Sequence, residues 1–190
     1  MSTSVRKPTV FAAAALAALG IALVPALSAA AATPTATNGT ATLSATHAAL
    51  SSGTGSTTVT GSGPITVSVA GAGYSALSGG GVPVPVGVYV VYGPKESDFN
   101  TNSGWYYDAE WIQPGQISGG AFSTSISIAE TYTANPFHED DPIEVSCAYD
   151  EGLSYEDNVE LDQYRCYIQT FTAHGLPLRA SNTLGIEVKW

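Results

Sequence analysis

Basic residues are scarce in this chain. Six lysines and arginines stand against sixteen acidic residues in 190, a formal net charge of −10 at neutral pH. Two of the six, Arg6 and Lys7, lie in the first ten residues, and without them the charge becomes −12. A surface so poor in cations does not neutralise phosphates, which argues against nucleic acid as a partner and disfavours an anionic membrane. Solubility outside a cell accounts for the acidity most simply, with a basic partner or a bound cation as the other accounts.

Histidine is sparse too, with His47, His138 and His174 the only three. The chain has no Gly-x-Ser-x-Gly elbow, no His-Glu-x-x-His, no zinc-type Cys/His spacing and no glycine-rich phosphate loop. Paired carboxylates could serve glycoside hydrolysis, but a sequence gives no separations between them. A non-enzymatic protein is expected, with no catalytic residue, metal or cofactor nominated.

Long apolar runs are few. The stretch over 10–24 follows Arg6 and Lys7 and leads into the small-residue tract Ser28-Ala-Ala-Ala-Ala32. It is shorter than the roughly twenty residues that span a bilayer, so 1–32 reads as a signal peptide cut after Ala30, Ala31 or Ala32. No second run of spanning length follows. The expected mature chain is therefore secreted, without a membrane span and monomeric. From 33 to 57 it is almost entirely Ala, Thr, Ser and Gly, with no aromatic residue, and reads as a flexible lead. Weak strand signals occur at 40–44 and 57–60.

Only two cysteines are present, Cys147 and Cys166, each within a run that alternates apolar and polar residues. In an exported protein they most simply form one disulfide between neighbouring strands, pinning a hairpin. A staple closing a loop of this length is worth roughly 3 kcal/mol in the chain-entropy model. The residues between them include the densest charge run of the chain, 150–162, which contains Asp150, Glu151, Glu156, Asp157, Glu160 and Asp162. Such a run is a solvated loop or, with Glu139, Asp140 and Asp141 nearby in sequence, a set of oxygen ligands for calcium.

What the chain does contain, from Pro64 onward, is period-two alternation, which places one set of side chains against a core and the other toward water. Strands are expected at 64–69, 85–92, 107–112, 119–128, 143–149, 164–171 and 183–190, separated by Gly and Pro turns. About seven short strands and no helical stripe describe an all-β, immunoglobulin-like antiparallel sandwich over 58–190, with a small barrel as the alternative.

Aromatic residues are the richest chemical signal, with ten tyrosines and three tryptophans. Trp105, Tyr106 and Tyr107 end the polar loop after the 85–92 strand, and Trp111 follows. Rings on a loop supply rigid apolar contact area, and tyrosine adds a hydroxyl. These four are the candidate ligand contacts, the competing account being that they close one end of the sandwich.

The segments Val67-Ser-Val-Ala-Gly-Ala-Gly-Tyr74, Gly87-Val-Tyr-Val-Val-Tyr-Gly-Pro94, Ala109-Glu-Trp-Ile-Gln-Pro-Gly115, Gly120-Ala-Phe-Ser-Thr-Ser-Ile126, Val145-Ser-Cys147, Cys166-Tyr-Ile168 and Thr172-Ala-His-Gly175 occur in an order that resembles the immunoglobulin-like domains of the neocarzinostatin (enediyne apoprotein) superfamily. They are similar also to the sandwich domains that accompany HtaA-type haem-uptake modules on actinobacterial surfaces. The resemblance implies an exported binding or surface domain, with Cys147 and Cys166 in the positions of the family's later disulfide. This chain departs from the pattern in two respects. The region 92–99 lacks the family's earlier, cleft-side cysteines, and the loop between the later cysteines carries the acidic insert. In the HtaA-type proteins the resemblance assigns haem binding to the partner module, so haem is not the ligand expected of this sandwich. The expected function is to hold an apolar small molecule or a cell-envelope component in loops at one end of the sandwich. The alternatives are a structural envelope domain without a pocket and, more remotely, a hydrolase.

Overall fold

Alternation predicts two faces per strand, and the computed structural model shows which face each strand buries. It describes residues 33–77, 84–95, 103–135, 142–175 and 182–190. The signal-peptide reading of 1–32, His138 and the acidic trio Glu139, Asp140 and Asp141 lie outside the described residues, as does much of the loop that precedes Trp105.

Eleven strands occur among the described residues: β1 (Thr35–Thr37), β2 (Thr42–Thr46), β3 (Ser56–Thr58), β4 (Ile65–Ala72), β5 (Val88–Pro94), β6 (Asp108–Ile112), β7 (Phe122–Ile128), β8 (Thr131–Ala134), β9 (Ile143–Ser146), β10 (Cys166–Thr172) and β11 (Leu184–Lys189). One short helix, α1 (Tyr155–Glu160), lies between the cysteines. One sheet has the order β1-β2-β4-β7 and the other β3-β11-β10-β5-β6, while β8 and β9 form a separate ribbon. All pairings are antiparallel except β3 with β11. The seven strands β2, β4 and β7 against β11, β10, β5 and β6 form the immunoglobulin-like sandwich, and β1, β3 and the β8–β9 ribbon are added to it.

The core lies between the sheets. Leu43, Val67, Val69, Ile126 and Ile128 come from one sheet, and Val88, Val90, Tyr92, Ile168 and Ile186 from the other, all almost fully buried. Close approach requires a glycine at Gly71, where a Cβ would run into the Phe122 ring. Phe122 stands opposite Gly71 in register and packs edge-on against Tyr74, with centroids 4.9 Å apart. Tyr92 carries a hydroxyl into this core. It donates to Ala129 O at 2.9 Å and accepts from Trp190 Nε1 at 2.8 Å, so the cost of burying it is met.

Two expectations need correction. Residues 33–57, read as a flexible lead, hold β1, β2 and part of β3, with Leu43 and Ala45 buried. Low apolar content misled here because a strand wedged against β4 needs only small side chains and a backbone ladder, and threonine favours that conformation. The second correction concerns the cysteines. Their disulfide does form, with a Cα separation of 5.3 Å, but it pins no hairpin. β9 pairs with β8, whereas β10 pairs with β5 and β11. Cys147 lies one residue past β9, so the bond ties the ribbon to the five-stranded sheet, beside Ser146 N donating to Asp162 O and Tyr164 N donating to Ser146 O.

Candidate functional site

Pairing within the five-stranded sheet determines which aromatic residues meet. On β5, Val88, Val90 and Tyr92 face the core, so Tyr89 faces outward. Phe171 on β10 and Trp111 on β6 have the same phase. Register then sets Trp111 opposite Tyr89 and Tyr89 opposite Phe171, one row of rings across three strands on the outer face. The Tyr89 and Phe171 centroids are 5.7 Å apart.

Two flanking residues extend this row. His174 follows β10 in a left-handed conformation (φ 63°), which turns its ring back over the sheet. It lies edge-on to Trp111 at 4.6 Å and to Tyr89 at 5.8 Å. At the other end Tyr106 lies 6.0 Å from Phe171. Gly93 makes room for this return of the chain, since a Cβ there would stand 3.1 Å from both Trp105 O and Tyr106 Cδ1. Trp111 is fixed by its indole N–H, which donates to Val86 O at 2.9 Å, yet it remains 38 % exposed. The result is a continuous series of contacts, Tyr106, Phe171, Tyr89, His174 and Trp111, with Tyr89, Phe171 and Trp111 on strands and Tyr106 and His174 on the segments that flank them.

The four residues nominated from sequence therefore separate. Tyr106 and Trp111 belong to the row. Trp105 is 8 % exposed, packs edge-on against Tyr164 at 5.9 Å, and its carbonyl accepts from Tyr132 Oη at 2.7 Å. Tyr107, 37 % exposed, packs on Tyr132 at 5.2 Å, away from the row. Sequence reading missed Tyr89, Phe171 and His174. The signal for the first two was present, because each is an aromatic residue out of phase with the core positions of its own strand.

The acidic insert is ordered by its own side chains. Ser154 caps α1 by accepting from Asp157 N at 3.1 Å, while Asp157 Oδ2 accepts from Ser154 Oγ at 2.9 Å. Asp150 Oδ1 accepts from Gly152 N at 2.7 Å. Glu151 reaches Lys189 Nζ at 2.6 Å, and that ammonium holds its carboxyl below the usual range. These carboxylates are thus engaged locally, and among the described residues no three His, Cys, Asp or Glu side chains converge to hold a metal ion. Of the histidines, His47 Nδ1 accepts from Ala49 N within a turn, and His174 belongs to the aromatic row. Burial pushes the phenols of Tyr74, Tyr92 and Tyr132 well above their ordinary range, so all three are hydrogen-bonding hydroxyls at neutral pH. Among the described residues no helix is long and apolar enough to cross a membrane.

Comparison of the chain with protein-family models, with curated proteins and with solved structures finds no match.

Proposed function

We propose that this chain is an exported, non-enzymatic binding protein that holds an apolar small molecule or a cell-envelope component on the outer face of its five-stranded sheet. The observation that carries this reading is the aromatic row. A sandwich gains nothing in its core from Tyr89, Phe171 and Trp111 pointing away from it, and apolar rings on a surface mark contact sites. The rings are held by register, by the Trp111 bond to Val86 and by the left-handed turn at His174, so little ordering cost falls on binding.

Export is supported by the N-terminal charge-then-apolar pattern with its alanine tract, and the disulfide is compatible with it. The ordered strand-and-turn segments that resemble the neocarzinostatin superfamily support the same class of function. The missing cleft-side cysteines separate the ligand here from a chromophore held beside a second disulfide.

Tryptophan fluorescence of the mature chain, titrated with an apolar extract of the producing culture, tests the reading. A saturable change that Trp111→Phe removes and Tyr89→Ala weakens by roughly tenfold is expected, that being the scale of one aromatic contact. A flat titration would favour a structural envelope domain.

A further inference from the structure

A concave site separate from the aromatic row lies at the other end of β10. The aromatic row meets β10 at Phe171, whereas a cleft of about 280 Å³ opens beside Cys166, five residues and roughly 17 Å away along the strand. Cys147 and Val188 line it, and Tyr149 and Trp190 give it aromatic walls. Trp190 is anchored through its indole N–H to the buried Tyr92 hydroxyl.

Charge makes this cleft unusual for the molecule. Residues 33–190 contain only Lys95, Arg165, Arg179 and Lys189 as cations, and two of these line the cleft. Each faces a carboxylate. Lys189 Nζ is 2.6 Å from Glu151 Oε1 at the exposed rim, and Arg165 Nη1 is 3.4 Å from Glu187 Oε1, whose side chain is only 17 % exposed. The second contact is long, since a charge-assisted bond normally measures about 2.7–2.9 Å. A guanidinium has five donors in a fixed fork, and that of Arg165 is set in place over the Tyr149 ring, 4.4 Å from its centroid. Arg165 and Glu187 thus form an opposed but loosely joined pair.

The charged side chains of the lining are thus two cations and two carboxylates. A bare anion would meet Glu151 and Glu187, and a bare cation would meet Arg165 and Lys189. A ligand carrying both charges satisfies both sets. The volume lies just under the roughly 300 Å³ at which clefts for drug-sized ligands begin, which restricts the ligand to a small one.

We propose that this cleft binds a free α-amino acid as its zwitterion, the carboxylate on Arg165, the ammonium on Glu187 and an apolar side chain between Tyr149 and Trp190. The ligand enters between the loosely joined pair and shortens both contacts, while Lys189 and Glu151 close the rim.

Nuclear magnetic resonance of the isotope-labelled mature chain reads this directly. L-leucine and L-phenylalanine are titrated in parallel with N-acetyl-L-phenylalanine and L-phenylalanine methyl ester, each of which lacks one of the two charges. Saturable shifts of the Trp190 indole N–H with the free amino acids, an unmoved Trp111 indole, and binding at least roughly tenfold weaker for both derivatives are expected, the loss of one charge-assisted hydrogen bond. Arg165→Gln and Glu187→Gln each lose the shift while keeping a dispersed spectrum. If either variant fails to fold, the derivative series on the unaltered chain still decides. No saturable shift with either amino acid, or equal binding of a derivative, overturns the proposal.

Discussion

Asn158 is a polar residue in a six-residue helix with no exposed surface. Burying an amide is unfavourable unless its groups are paired, and here they are. Nδ2 donates to Asp150 O at 2.9 Å and Ser154 O at 2.8 Å, and Oδ1 accepts from Asp150 N at 2.9 Å. One side chain therefore gathers the start of the insert around the first turn of α1. Asn158→Ala should destabilise the chain by about 1–3 kcal/mol in chemical denaturation, because it removes three hydrogen bonds at once and takes from Asp150 N its acceptor, while Asp150 O and Ser154 O keep the backbone donors Leu153 N and Asn158 N. Circular dichroism of the remaining strands should not change. Sequence reading took 150–162 for a solvated loop or a set of calcium ligands, since its charge is dense and its apolar content low. The ordering comes instead from Asn158 and the Ser154–Asp157 cap, which a hydropathy pattern does not register.

At the scale of elements, strands were legible where alternation ran for five residues or more, as in β4, β7 and β11, and obscure where it did not. β8 spans four residues and β1 three, too short for a period to emerge. The aromatic site was half legible for a related reason. Tyr106 and Trp111 stand near one another in sequence, whereas Tyr89, Phe171 and His174 join them only through strand register, and register is a property of pairs. The disulfide shows the same limit: its existence followed from cysteine count, its partners from topology. It ties the β8–β9 ribbon to β10, and α1 lies within the loop it closes. Replacing both cysteines with serine should cost about 3 kcal/mol in the chain-entropy model. Hydrogen exchange should then rise first in β8, β9 and α1, while β5 and β11, held by ladders on β10, keep their protection. Uniform loss across both sheets would show that the ribbon is integral to the sandwich.

For the whole molecule, the tyrosines link fold to pH. Tyr74, Tyr92 and Tyr132 sit at three places around the sandwich and share one condition, a phenol in an apolar setting tied to a neighbour. Burial raises the folded-state pKa of each above the ordinary value of 10.0, and for Tyr74 and Tyr92 the hydrogen bond from or to a neighbour only partly offsets this. The sign follows from linkage. A group that holds its proton more tightly when folded contributes stability that is complete below the unfolded pKa and declines above it, as the unfolded chain ionises and the folded chain does not. The melting temperature should therefore be insensitive to these phenols through neutral pH and fall steeply from about pH 10 upward. Tyr92→Phe separates this cause from general alkaline charge repulsion. At neutral pH the variant should be less stable by about 1–3 kcal/mol, because Ala129 O and Trp190 Nε1 lose their shared partner in the core. Above about pH 10 its stability should decline less steeply than that of the unaltered chain, since one of the linked protons is gone. Parallel alkaline slopes for the two proteins would count against the phenols and leave the growing negative charge of an already acidic surface as the cause.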